Sequence, residues 1–118
     1  MQHEKILCVS FDFTVSDYRR EALATAGYEV VATTDVKAAS RLLEEDHFDL
    51  VVIGHRFQTR QKSDLISVAK ERENTPVLLI CGESADSELA VEGRVYALQG
   101  MEGLLTEVAK LLPIATLA

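Results

Sequence analysis

Thr75-Pro76-Val77-Leu78-Leu79-Ile80-Cys81 places a proline second and then runs through five apolar residues without a charge. A strand with one face in water alternates apolar and polar side chains. An unbroken apolar run is how a strand reads when both faces of its sheet are covered, as in parallel sheets. Pro76 suits the start of such a strand, where it costs no ladder hydrogen bond. Ile6-Leu7-Cys8-Val9 and Leu50-Val51-Val52-Ile53 read the same way. Two further clusters differ. Residues 28–32 include Glu29, and Val95-Tyr96-Ala97-Leu98 lies between Arg94 and Gln99. Both read as edge strands.

Helical patterns separate the clusters. Val15, Tyr18, Ala22 and Ala26 recur on one helix face, with Thr14 and Asp17 as a capping box and Gly27 as the stop. Asp35 is a good N-cap for a second helix that turns Val36, Ala39 and Leu43 inward. A third is expected over 61–73, with Leu65, Ile66 and Ala69 inside. A fourth, around 84–91, is short and weakly apolar. The fifth carries Leu104, Leu105, Val108, Leu111 and Leu112 and ends at Pro113. Five βα units in succession build a parallel sheet with helices on both faces.

The chain has 118 residues, of which 47% are hydrophobic, enough for one buried core. Residues 1–118 read as a single domain without repeat, linker or low-complexity tract, and no output domain is expected after the last helix unless the chain is a piece of a longer protein. The formal net charge of −7 argues against binding nucleic acid through its phosphates and against docking on an anionic membrane. The first apolar segment is too short for a signal peptide, and no run is long enough to cross a bilayer. A cytoplasmic protein is expected. Two cysteines inside apolar runs make no disulfide framework.

Ligands of doubly wound sheets bind beyond the carboxyl ends of the strands. Those ends here carry Ser10-Phe11-Asp12, Gly54-His55, Cys81-Gly82 and Gln99-Gly100. From Lys5 to Leu112 the chain resembles a response-regulator receiver domain, the flavodoxin-like module of two-component and phosphorelay signalling. The stretches that carry the resemblance are Lys5-Ile6-Leu7-Cys8-Val9, Ala26-Gly27-Tyr28-Glu29-Val30, Phe48-Asp49-Leu50-Val51-Val52-Ile53, Thr75-Pro76-Val77-Leu78-Leu79-Ile80 and Tyr96-Ala97-Leu98. The resemblance implies a three-layer α/β/α sandwich with a five-stranded parallel sheet in the order 2-1-3-4-5.

The family's chemistry uses two acids after strand 1 to hold Mg²⁺, a cation that wants oxygen ligands. It uses an Asp after strand 3 as phosphoacceptor, a hydroxyl after strand 4 and a Lys after strand 5. Carried onto this chain, those positions are Ser10 and Phe11, Gly54, Cys81, and Gln99. None keeps the family's residue. The resemblance therefore implies a degenerate pseudo-receiver that is not an enzyme, needs no cofactor and holds no metal. Tyr96 matches the family's switch aromatic and is expected to stay fixed. The segment between Cys81 and Tyr96 is shorter than the family's, so the fourth helix is expected to be curtailed. Pairing through helix 4, strand 5 and helix 5 is the family's habit, which makes a homodimer one expected partner.

Other residues carry groups capable of chemistry. Asp12, His55 and Cys81 offer an orienter, a base and a nucleophile at the top of the sheet, the basis of an alternative reading as a small-molecule binding or catalytic domain. With no oxyanion feature beside them, Cys81 reads better as a core residue and His55 as a loop residue facing water. Cys8 reads as packing. His3, His47 and His55 lack ligand-spaced partners, and Asp46-His47-Phe48-Asp49 reads as a solvated turn. The loop Ser10-Phe11-Asp12-Phe13-Thr14 contains an acid and no glycine, which disfavours a flavin phosphate. Phe11 is expected to fill the space that metal and phosphoryl group take in an active receiver. Arg56, Arg60 and Lys62 form a basic island in an acidic chain, either a solvated helix start or a docking patch. The expectation is a phosphorylation-independent module acting on a protein partner in trans.

Overall fold

The computed structural model describes residues 4–82 and 89–112. Its strands are β1 (Lys5–Val9), β2 (Glu29–Thr33), β3 (Leu50–Ile53), β4 (Val77–Cys81) and β5 (Gly93–Tyr96). They form one sheet in the order β2-β1-β3-β4-β5, and every neighbouring pair is parallel. This is the flavodoxin-like α/β/α sandwich expected from the sequence, with the two charge-flanked strands at the edges.

Among the described residues four α-helices cover the sheet: α1 (Phe13–Thr25), α2 (Val36–Glu45), α3 (Thr59–Glu73) and α4 (Gly100–Leu111). The alternation of strand side chains sends successive residues to opposite faces. Leu7, Val9, Val51, Ile53, Leu79 and Cys81 pack with Ala39 and Leu43 of α2 and with Leu65, Ile66 and Ala69 of α3. Ile6, Cys8, Leu50, Val52, Leu78 and Ile80 pack with Leu23 of α1 and with Leu104 and Val108 of α4. The unbroken apolar runs thus feed two separate cores. Cys8 and Cys81 lie on opposite faces of the sheet, so no disulfide joins them.

Local expectations for α2, α3 and α4 agree with the structure, and three others do not. The N-cap of α1 is Asp12, whose carboxylate accepts from the Val15 amide at 2.9 Å, and not Thr14. The inward face of α1 runs through Ser16 and Leu23, while Tyr18 is 61% exposed. The last strand starts two residues before Val95. Ala97–Gln99 leaves the sheet as a 3-10 turn, with the Gln99 side chain accepting from the Tyr96 amide at 2.8 Å. The helix expected over 84–91 lies mostly outside the described residues. Residues 89–91 are not helical. Pro113 and His3 also lie outside them.

Candidate functional site

The carboxyl ends of β1 and β3 lie side by side because Val9 pairs with Ile53. Gly54 follows directly, buried, with its amide donating to the Val9 carbonyl at 2.9 Å. Ser10 is fully buried, and its amide donates to the Thr33 carbonyl at 3.1 Å. Ser10 and Gly54, onto which the receiver resemblance carries a metal-binding acid and the phosphoacceptor, are therefore adjacent at the top of the sheet.

Arg19 enters this space. Side chains on a helix lean toward its N-terminus, so a long residue on the second turn of α1 points back to the strand ends. Its Nη1 donates to Ser10 Oγ at 3.0 Å. The same nitrogen lies 3.1 Å from where a Cβ on Gly54 would stand. Burial lowers the pKa of Arg19, opposed by the nearby Cys8 and Asp12. A guanidinium remains charged through such a change. A resident cation thus stands beside Gly54, the position onto which the resemblance carries a carboxylate. The sequence offered one clue: Arg19 is seven residues beyond Asp12, on the helix face that Asp12 starts.

This donor set does not fit Mg²⁺. Ser10 supplies a neutral oxygen already bonded to Arg19, Gly54 supplies none, and the guanidinium repels a dication. Phe11 does not fill the space either. It is 51% exposed and turns outward, its ring edge-on to Phe57 at 6.0 Å between centroids. The Arg56 guanidinium lies 4.9 Å from the Phe11 ring centre. A cavity of about 150 Å³ remains, lined by Phe11, Asp12, Arg19, Gly54, His55 and Arg56 among others.

His55 is partly buried, not a side chain facing water. Its pKa is lowered by burial, with Arg19, Lys62 and Arg56 adding repulsion, which favours the neutral ring. Its Nδ1 is buried and has no hydrogen-bond partner among the described residues. Cys81 does not join Asp12 and His55 around this cavity. It is 2% exposed and packs in the core under α2 and α3. The nucleophile of the alternative catalytic reading is thus absent from the crevice. Lys62 also departs from expectation. It is only 4% exposed, and its Nζ donates to the His55 carbonyl at 3.2 Å. The basic island at the surface reduces to Arg56 and Arg60, both exposed.

At the far edge, Gln99 spends its side chain on the Tyr96 amide. Tyr96 is half-exposed and lines a groove of about 220 Å³ between α1 and α4, together with Tyr18, Arg19, Met101 and Leu104. At the opposite end of the sheet, His47 bridges Glu73 at 2.8 Å and Asp49 at 3.0 Å. No cluster of three metal-ligating side chains occurs among the described residues.

Comparison with solved structures follows this geometry. A CheY-like response regulator receiver domain protein from Methanospirillum hungatei JF-1 superposes with a TM-score of 0.80 at 18% identity, covering 93% of this chain and 94% of that one. A response regulator receiver protein from Sinorhizobium medicae WSM419 gives 0.81 at 24% identity, covering 92% and 94%. Chemotaxis response regulator CheY4 of Vibrio cholerae gives 0.81 at 18% identity, covering 94% and 100%. The chain has the receiver-domain fold. No family model matches this receiver-like chain. A curated relative, the uncharacterized transcriptional regulatory protein YcbL of Bacillus subtilis (strain 168), is 25% identical over 85 residues. That match covers 72% of this chain and 38% of the relative's length.

Proposed function

We propose that the chain is a phosphorylation-independent, receiver-like module of a bacterial two-component or phosphorelay pathway. It is a non-enzymatic single domain that acts in the cytoplasm through contact with a signalling or output protein in trans, a second copy of itself included. The observation that carries this reading is the Arg19 guanidinium beside Gly54, within a receiver fold. The acceptor position offers no carboxylate to a phosphodonor, and the metal that would assist transfer meets a positive charge there.

On this reading Ser10, Phe11, Gly54, Cys81 and Gln99 are the vestigial positions of the phosphorylation site, and Tyr96 is a switch aromatic without its trigger. Arg56 and Arg60 are the docking residues, with Lys62 withdrawn into the fold. The regulatory relative supports a signalling role, and the net charge of −7 supports a protein partner over a nucleic acid. No described helix is long and apolar enough to cross a membrane.

Intact mass after incubation with Mg²⁺ and a small phosphodonor tests the first half of the proposal. No gain of a phosphoryl group is the expected result, and a stoichiometric gain would overturn it. The native mass of the same sample reads self-association. Reversing Arg56 and Arg60 to Glu is expected to abolish partner capture while leaving the melting temperature unchanged. Full capture by the reversed protein would dispose of the docking assignment.

A further inference from the structure

We infer that the crevice between β1, β3 and the start of α1 binds a small free oxyanion of the phosphate class, held by Arg19 and Arg56 without a metal. The inference concerns reversible binding and stands apart from the signalling role proposed above. Ser10-Phe11-Asp12-Phe13-Thr14 alone argues against an anion because it contributes an acid and no glycine. The fold adds two cations to that loop, one from α1 and one from the turn after β3.

Three observations converge. First, Arg19 is half-buried yet forms no ion pair among the described residues, and its bond to Ser10 uses one of its five N–H donors. Burying a charge without a partner is costly, and planar N–H pairs match the oxygens of phosphate and carboxylate. Second, Arg56 makes neither hydrogen bond nor ion pair among the described residues, and its stacking over Phe11 holds it at the cavity mouth. Third, His55 lines the same cavity, and its buried Nδ1 has no hydrogen-bond partner among the described residues.

Size and charge agree with a small anion. The cavity of about 150 Å³ equals roughly five waters' share of liquid volume. Among the described residues Asp12 is the one acidic wall, and its carboxylate is engaged with the Val15 amide at the positive end of α1. Among those residues two guanidinium groups face one carboxylate in the crevice, in a chain of net charge −7. Gly54 matters because a side chain there would press on Arg19 and close the space.

The test is a titration of ¹⁵N-labelled protein with inorganic phosphate at constant ionic strength set by sodium chloride, followed by NMR. Phosphate is not a phosphodonor, so the outcome is independent of whether the chain can be phosphorylated. Saturable shifts in the millimolar range at Ser10, Gly54, His55 and the Arg19 side chain are expected. Arg19→Gln should weaken binding about tenfold or more, the usual effect of losing a charge-assisted hydrogen bond. The exposed Arg56→Gln should weaken it several-fold and carries the test if Arg19→Gln fails to fold. Asp12→Asn keeps a helix cap and should tighten binding. Absence of saturable shifts, or saturable binding that neither arginine substitution weakens, would overturn the assignment. Weaker binding by Asp12→Asn would count against it as well.

Discussion

Arg19 and Gly54 define each other. Without a Cβ at position 54 the guanidinium can approach to 3.1 Å of that site, and with the guanidinium there an acid placed at 54 would acquire a partner. Restoring carboxylates by Phe11→Asp and Gly54→Asp is therefore expected to give an internal ion pair and no Mg²⁺ affinity. Adding Arg19→Ala to the pair should produce measurable Mg²⁺ binding by calorimetry. Mg²⁺ affinity already present in the double variant would show that Arg19 is not the obstacle. The positions onto which the resemblance carries the family's acids can be read off the sequence, where each holds an unsuitable residue. Arg19 cannot, because its role depends on the direction in which a helix leans its side chains. The cysteines make a second expectation at this scale. Burial raises the Cys8 pKa, and both thiols are sealed in separate cores. Neither should react with a thiol reagent such as DTNB in the native protein, and both should react once it is denatured.

Helix α1 shows where apolar periodicity misleads. Its inward face carries Ser16 and Arg19, polar residues that a search for recurring apolar positions passes over. The pattern instead selected Tyr18, which faces solvent. The bounds of the last strand are hidden for a related reason: Gly93 pairs with Leu78 but adds no hydrophobic signal, while the apolar Leu98 turns outward and is 96% exposed. The N-cap has a measurable consequence. Asp12→Ala should cost about 1 kcal/mol in denaturant unfolding, the usual loss for a capping residue. The His47 bridge ties the turn before β3 to the end of α3. Hydrogen bonds to Glu73 and then Asp49 raise the His47 pKa above its ordinary value of 6.5. Its contribution is complete below that unfolded-state value and is lost as pH rises through the folded one. Because the ring is exposed, the effect should be a few tenths of a kcal/mol. Melting curves of wild type and His47→Gln should differ in mild acid and converge above neutrality. A gap that widened as pH rose would contradict the assignment.

Across the whole molecule, the strand order and the division into two cores follow from features the sequence displays openly. The three charge-free runs become the central strands, and the runs flanked by charge become the edges. Even so, the cores depend on single residues. Leu78, fully buried in the face shared by α1 and α4, should cost about 2–5 kcal/mol when replaced by Ala. That is a large share of the roughly 5–15 kcal/mol a native domain has. A denaturant titration should show the midpoint falling while the transition stays single. The position of Arg19 has a consequence on the same scale. It is a wall of both the crevice near Gly54 and the groove beside Tyr96. One guanidinium cannot swing fully into both. An occupant that draws it to one side changes the welcome on the other, and thermodynamic linkage makes the effect mutual: each site alters the other's affinity by the same factor. Two cavities that share a wall are in this sense one balance, with a single side chain as its beam.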